Sequence, residues 1–378
     1  MSVQPKQLLA DRRADRLVDR PILVMAGGTG GHVYPALAVA RVLKRRSQSV
    51  VWLGTQRGLE GRVVPAAGIR TEWISVQGLR GKGPLTLVAA PFQLLRALFQ
   101  SLKVMARHRP AAVLGMGGFV SGPGGLAAWL TRRPLIIHEQ NAIAGLTNRL
   151  LARLARVVLQ AFPGSFSPRF QAETVGNPVR EDIAGLEEPG ARFASRNGPL
   201  HLLVLGGSQG ALALNQLIPA AIAGLPAELR PLVRHQAGER TITTARGNYE
   251  RLGIPADVQP FIEDMAAAYG WADLVVCRAG ALTVAELSAA GVAAIFVPFP
   301  AAVDDHQTAN ARSMVDADAA VIVQEQNLTV PVLADLLKQW LSSRDDLRER
   351  AVKARSLARP QSLERIADLC LELAGAHP

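Results

Sequence analysis

One pattern occurs once in each half of this chain: an apolar, strand-like run that breaks into glycines and then into an apolar-periodic helix. The two copies are PILVMAGGTGGH at Pro21–His32 and PLHLLVLGGSQGA at Pro199–Ala211. A strand that passes through glycine into a helix start aims backbone N–H groups and the positive end of the helix dipole at one spot, a geometry that holds anions. Two such units about 180 residues apart predict an α/β protein with two Rossmann-like domains. Their parallel sheets are expected to face each other across a cleft, with a phosphate-sized site at the strand C-termini of each.

The rest of the chain supports that division. Apolar, β-rich segments at 21–26, 50–53, 71–76, 111–114, 134–138 and 157–160 alternate with helical patterns, and the same alternation returns at 201–205, 232–236, 258–261, 274–277, 293–297 and 320–323. The boundary falls in VGNPVRED at Val175–Asp182, where Gly, Asn and Pro cluster. The expected organisation is a charged, mobile extension over 1–20, a first domain over 21–179 and a second over 180–359. A C-terminal helix from Pro360 has the option of packing back on the first domain. Residues 1–20 interleave Arg12, Arg13, Arg16 and Arg20 with Asp11, Asp15 and Asp19 and lack the apolar core of a signal peptide. Cys277 and Cys370 have neither a CxxC partner nor a metal-ligand neighbour, so buried thiols in a reducing compartment are expected.

The net charge of +11 is uneven: residues 1–179 hold 24 Lys and Arg against 7 Asp and Glu (+17), and residues 180–378 hold 18 against 24 (−6). A basic half implies an anionic partner, either nucleic acid or an acidic membrane surface. Nucleic acid is disfavoured, since aromatic residues make up only 5% of the chain and no stacking platform or recognition motif is present. Residues 74–105 favour the membrane: Leu79, Leu85, Leu87, Phe92 and Phe99 stand beside Arg80, Lys82, Arg96 and Lys103. The uncharged stretch Gly83–Leu95 is too short to span a bilayer, so a peripheral contact through Leu79, Arg80, Lys82 and Leu85 is expected. The alternative for Phe92–Met105 is an ordinary amphipathic core helix, and a second place to look for membrane contact is Trp129, Arg132 and Arg133.

Several residues carry candidate chemistry. Gly27–Gly31 surrounds Thr29 with glycine so that backbone can approach a diphosphate. A second glycine loop, Gly115, Gly117 and Gly118, would share its rim, and Gly28, Gly117 and Gly118 are candidates for an acceptor pyrophosphate. His32, at the start of a helix, is the candidate general base; a capping or phosphate-binding histidine is the alternative. Glu139, beside His138 and expected on a rim loop with Asn141, is the rival base, or else merely pairs with an arginine.

In the second half, Ser208 offers a hydroxyl among loop amides, and Arg180 adds a full charge for a diphosphate. The segment Ala281–Glu286 opens a further helix after a strand. Glu286 there accepts hydrogen bonds from ribose hydroxyls or simply caps its helix. Ile262 is placed to meet a uracil edge through its backbone. Metal dependence is not expected, because Asp304–Asp305–His306 lacks the D-x-D spacing that supports a nucleotide-bound cation.

In order, GGTGGHVYPALAVA, GMGGFVSGPGG, HEQNAIAGLTNRLLAR, VGNPVR, LGGSQGALALN, CRAGALTVAEL and DDHQTANA resemble the MurG family of glycosyltransferases of bacterial peptidoglycan synthesis. The resemblance runs from about Pro21 to the C-terminus. It implies the two-domain GT-B fold and a peripheral enzyme on the cytoplasmic face of the inner membrane that needs no cofactor. Such an enzyme transfers GlcNAc from UDP-GlcNAc, with inversion, to the 4-hydroxyl of MurNAc-pentapeptide on undecaprenyl pyrophosphate. Other cell-wall synthesis proteins are implied as possible partners. By the same resemblance, UDP-GlcNAc is held by Thr29, Gly30, Gly31, Asn141, Arg180, Ser208, Ile262, Ala281, Leu282, Thr283, Val284, Ala285, Glu286 and Gln307. The chain departs from some members at Pro300–Asp305, where PAAVDD is less basic and puts the contacts to the donor sugar in question. Two rival readings remain: an NAD-dependent dehydrogenase, which leaves the second glycine set unused, and a non-catalytic nucleotide-binding module, which needs no base.

Overall fold

The structure, a computed structural model, describes residues 20–76, 84–207, 210–300 and 305–375. The chain divides into two compact units, Met1–Pro178 with Gln361–Pro378, and Val179–Pro360.

In the first unit, β1 (Ile22–Met25), β2 (Val50–Gly54), β3 (Arg70–Trp73), β4 (Ala112–Gly115), β5 (Leu135–Glu139), β6 (Val157–Gln160) and β7 (Glu173–Thr174) form one parallel sheet in the order β3-β2-β1-β4-β5-β6-β7. The second unit repeats the plan with β8 (His201–Leu205), β9 (Leu232–Gln236), β10 (Asp257–Gln259), β11 (Leu274–Cys277), β12 (Ala293–Phe296) and β13 (Ala320–Ile322), ordered β10-β9-β8-β11-β12-β13. In both, the chain winds outward from its first strand and then returns to the other side of it. The β1/β4 and β8/β11 gaps are therefore switch points, where loops at the strand C-termini splay apart and a ligand can enter.

Period-two packing explains why β1 is uniformly apolar. Ile22 and Val24 pack on one face of the sheet with Leu37 and Leu43, while Leu23 and Met25 pack on the other with Val104, Met105 and Ala128. Each fully buried side chain of this kind contributes roughly 1.5–3 kcal/mol. The expected strand at 71–76 ends earlier, at Trp73, and the one at 258–261 spans Asp257–Gln259. The two-residue edge strand β7 is too short to show a sequence pattern.

The helix Ser362–Gly375 belongs to the first unit: Leu363, Ile366, Cys370 and Ala374 enter the cluster that holds Ile22 and Val24. Arg46 bonds to both Glu364 and Asp368, Arg365 Nε donates to Glu173 Oε1 at 2.8 Å, and Ser362 Oγ donates to the Asn177 carbonyl at 2.8 Å. Cys277 and Cys370 are free and buried.

The helix Pro84–His108 turns one face of residues 92–105 into the core, as an amphipathic core helix does, and leaves the other exposed. Ala97, Val104 and Met105 are buried, whereas Phe92, Leu95 and Phe99 are 75%, 53% and 64% exposed. Leu79, Arg80 and Lys82, together with the side chain of Leu85, lie outside the described residues. Among the described residues no helix is long and apolar enough to cross a membrane.

Candidate functional site

The first unit brings its two glycine loops into contact at the β1/β4 switch point. Gly28 (φ +94°) and Gly118 (φ +81°) adopt a backbone conformation that side chains disfavour. A Cβ on Gly118 would lie 2.1 Å from the Gly27 carbonyl oxygen, so the loops close on each other only because residue 118 has none. The loop leads into the helix Gly30–Arg45, whose first amides, including those of Gly30 and Gly31, have no acceptor within the helix. The Gly28 amide is not among the donors facing outward: it donates to Glu60 Oε2 at 3.1 Å. Glu60 is fully buried and also accepts from Thr55 N at 3.0 Å and Thr55 Oγ1 at 2.7 Å. This carboxylate braces the loop from inside, a role the sequence did not disclose because Glu60 reads as an ordinary first-turn helix residue.

His32 sits against the second loop. A Cβ on Gly117 (φ +96°) would fall 2.7 Å from His32 Nδ1, so the imidazole occupies space that only glycine leaves open. His32 Nδ1 is 3.0 Å from Gln140 Oε1. Thr29, His32, Gly117 and Gly118 are thus brought together around one rim, with Gln140 added by the structure.

Glu139 requires a correction. It is not on an exposed rim loop but is the last residue of β5, only 2% exposed. Its Oε1 accepts from Asn141 N at 2.9 Å and Asn141 Nδ2 at 3.2 Å, and its Oε2 from Gly145 N at 3.1 Å and Asn148 Nδ2 at 2.9 Å. A carboxylate with four donors is engaged in shaping the 140–145 turn and has little capacity to accept a proton from a substrate. Asn141 is held in place by the same contact. His138 is fully buried, and burial lowers its pKa to about 4 against the opposing effect of its bond to Gly176, so it is neutral near pH 7.

In the second unit the loop after β8 carries Gly206, Gly207 and Gly210; Ser208 lies outside the described residues. Gly210 (φ +81°) approaches Thr241 so closely that a Cβ would meet Thr241 Oγ1 at 2.0 Å. After β11 the chain enters the helix Ala281–Ala290. Val284 is turned into the core at 1% exposure and its amide donates to the Gly280 carbonyl at 2.9 Å. Any ligand contact by Val284 is therefore indirect, a correction to the unbroken run Ala281–Glu286. Leu282, Thr283 and Ala285 are half-buried, whereas Ala281 is buried.

Glu286, one turn on, accepts from the Tyr269 hydroxyl at 3.0 Å. Burial raises its pKa to about 7, while Tyr269 and the positive charge of Arg180 pull it down. Arg180 thus lies within electrostatic reach of Glu286, at the start of the short helix Glu181–Ala184. Ile262 follows β10 with its side chain buried. Gln307 Oε1 accepts from Phe299 N at 2.9 Å. Tyr269 and Arg278 carry no local sequence pattern that marks them as site residues. Arg278 Nη1 donates to the carbonyls of Val297 at 3.0 Å and Pro298 at 3.2 Å, ties to Glu325 and lies over the Phe299 ring. Among the described residues no group of three or more His, Cys, Asp or Glu could hold a metal ion.

Comparison with known proteins gives consistent findings. The glycosyltransferase family 28 N-terminal domain matches residues 22–160 and the family 28 C-terminal domain matches residues 201–366. The UDP-N-acetylglucosamine–N-acetylmuramyl-(pentapeptide) pyrophosphoryl-undecaprenol N-acetylglucosamine transferase of Alkalilimnicola ehrlichii is 61% identical over 352 residues, covering 93% of this chain and 98% of that protein. The transferase of the same name from Nitrosococcus oceani is 56% identical, again over 93% and 98%. The crystal structure of Acinetobacter baumannii MurG superposes with a TM-score of 0.82 at 43% identity, over 93% of this chain and 99% of that one. A calicheamicin glycosyltransferase, at 17% identity and a TM-score of 0.65, shares the fold.

Proposed function

The chain belongs to glycosyltransferase family 28, with the GT-B fold, and on that premise we propose that it makes the lipid-linked disaccharide precursor of peptidoglycan. It is an N-acetylglucosaminyltransferase that moves GlcNAc from UDP-GlcNAc to the 4-hydroxyl of MurNAc-pentapeptide on undecaprenyl pyrophosphate. What carries this reading is the seating of His32 against Gly117, beside two touching glycine loops, in a chain whose near full-length relatives are named for this transfer.

The proposed reaction is a single displacement with inversion. His32 takes the proton of the acceptor hydroxyl as its oxygen forms a bond to C1 of GlcNAc, and the bond from C1 to the diphosphate oxygen breaks, releasing UDP. A positioned histidine base is worth about 10²- to 10⁴-fold in rate. The acceptor pyrophosphate is assigned to the Gly117–Gly118 loop and the exposed first-turn amides of the Gly30–Arg45 helix. On the donor side, Glu286 accepts from the ribose hydroxyls, Arg180 and Ser208 contact the diphosphate, and the Ile262 backbone meets uracil. Thr29, Gly30, Gly31, Asn141, Leu282, Thr283 and Gln307 complete the proposed donor set. Preorganised helix termini stabilise charge on departing UDP without reorganising, so no metal step is invoked.

The lipid-borne acceptor also motivates a peripheral location on the cytoplasmic face of the inner membrane. Exposed Phe92, Leu95 and Phe99 on a strongly basic half of the chain support it.

The test is direct. Purified protein with radiolabelled UDP-GlcNAc and a lipid-linked MurNAc-pentapeptide should yield labelled disaccharide lipid and free UDP. UDP-GlcNAc, but not NAD, should raise the melting temperature. Nucleotide binding without labelled product would leave the non-catalytic module as the correct reading.

A further inference from the structure

The side chains behind His32 form a hydrogen-bonded series whose proton positions can be read from its two ends. Gly176 and Met116 contribute backbone carbonyls, which only accept. His138 Nε2 is 2.9 Å from the Gly176 oxygen and therefore carries the hydrogen. The buried ring is neutral, so its Nδ1 is an acceptor. Gln140 Nε2 lies 3.2 Å from that Nδ1 and 2.8 Å from the Met116 oxygen, and its two hydrogens satisfy both. That fixes the amide's orientation and turns Gln140 Oε1 toward His32 Nδ1 at 3.0 Å. An amide oxygen is a pure acceptor, so His32 Nδ1 must carry a hydrogen.

From this we infer that Gln140 is a positioning residue that holds His32 in the Nδ1–H tautomer, leaving Nε2 with the lone pair that receives the substrate proton. The inference rests on the reading of His32 as the base and specifies which of its nitrogens acts.

The amide has no easy alternative arrangement. Gln140 is 2% exposed, and its backbone carbonyl accepts from Asn177 Nδ2 at 3.0 Å. Asn177 in turn is tied through its own carbonyl to Ser362 Oγ at 2.8 Å. Flipping the amide would set its oxygen against the Met116 oxygen and the His138 lone pair, and its NH₂ against the His32 Nδ1–H. The ring itself rests on Gly117, where no Cβ intrudes.

Two measurements on the full-length protein test the inference. Long-range proton–nitrogen correlation spectra of ¹⁵N-histidine-labelled enzyme, at mildly alkaline pH and assigned with His32→Gln, should show His32 Nδ1 protonated and Nε2 bare. The opposite tautomer, or rapid averaging of the two, overturns the inference without any assay of turnover. Gln140→Met, which keeps the side-chain volume but removes the amide acceptor, should let the tautomers mix. It should lower kcat by about 10- to 100-fold, the scale on which outer-shell partners of functional histidines act. Its affinity for UDP-GlcNAc should stay at the wild-type value. Unchanged kcat in folded Gln140→Met, while His32→Ala is inactive, sinks the positioning role and spares the base. Wild-type kcat in His32→Ala sinks the base and with it the catalytic half of this inference.

Discussion

Tyr269 donates its hydroxyl to Glu286 Oε2 at 3.0 Å, so a carboxylate burdened by burial keeps one strong hydrogen bond before any ligand arrives. Tyr269 is itself buried, and its hydroxyl is held well above the usual phenol range, first by burial and then by the Glu286 charge. It remains a donor throughout the physiological range.

This pair predicts a pH dependence. Glu286 titrates at about 7, raised from 4.5 chiefly by burial. The sugar nucleotide does not titrate near neutrality, so affinity for UDP-GlcNAc should rise as the pH increases from about 6 to about 8, when the accepting carboxylate forms. Glu286→Gln should flatten that slope and weaken binding by about 1–3 kcal/mol, the scale of a hydrogen bond to a charged group. Calorimetry of both proteins across the pH series is the check. A wild-type slope in the variant assigns the dependence elsewhere.

The same shift has a stability consequence of opposite sign. A carboxyl whose folded pKa is raised favours the folded state fully below its unfolded pKa of about 4.5, and that contribution is lost as pH rises through about 7. Ligand-free Glu286→Gln should therefore melt higher than wild type at pH values of about 8, and the gap should close near pH 5. Thermal melts at the two values decide it. A group that binds ligand at the expense of the empty protein behaves in this way.

Gly118→Ala and Gly117→Ala should fail differently. At residue 118 the added Cβ would meet backbone, the Gly27 carbonyl oxygen, at 2.1 Å, and φ is +81°. Backbone cannot yield as a side chain does, so we expect a loss of about 2–4 kcal/mol of stability. At residue 117 the nearest atom, 2.7 Å away, belongs to the His32 ring, which can move. Here a smaller stability loss of about 1–3 kcal/mol should accompany a drop in kcat with donor affinity retained. Equal melting temperatures for the two variants would refute the distinction.

The sequence displayed the glycine loops, nearly every strand and the alternation that sets a parallel sheet, because each is a local pattern of apolar period and backbone punctuation. It did not display what supports the loops. Glu60 reaches Gly28 across 32 residues, and Gln140 reaches His32 across 108, through contacts that exist only once the sheet has assembled. Gln140 stands inside HEQN, but its neighbour Glu139 carries a charge and is the residue the pattern offers as a rival base to His32. Burial reversed that order: the charged residue became the brace of a turn, and the neutral amide became the group that faces the histidine. Exposure of a rim residue cannot be read from charge alone.

His32→Ala should lower turnover by about two to four orders of magnitude while leaving UDP-GlcNAc affinity near wild type. Steady-state kinetics with both substrates varied separates the possibilities. A change confined to the acceptor KM would reassign His32 to pyrophosphate binding, the alternative open to a histidine at a helix start. Glu139→Gln should instead act through folding, because the neutral amide cannot replace a carboxylate that accepts four hydrogen bonds. Loss of melting temperature together with activity in that variant marks a structural role.

Membrane contact is best tested on the helix Pro84–His108. Phe92 and Phe99 are 75% and 64% exposed, so replacing both by Ser costs little folded stability, on the order of 0.5 kcal/mol each. Each ring removed also takes apolar area from any bilayer interface, where insertion and attraction to anionic lipid act together. Phe92→Ser with Phe99→Ser should therefore reduce sedimentation with anionic vesicles at every salt concentration. Arg80→Ser with Lys82→Ser should reduce it mainly at low salt, since that attraction is screened over about 10 Å at 0.1 M ionic strength. Leu79→Ser with Leu85→Ser puts the two leucines expected at the interface to the same assay. Activity on a short-chain soluble acceptor should survive in all three. If all three bind vesicles as wild type does, the contact moves to the neighbouring helix Ser121–Leu130, which packs on Pro84–His108 and leaves Trp129 and Leu130 about half exposed next to Arg132 and Arg133.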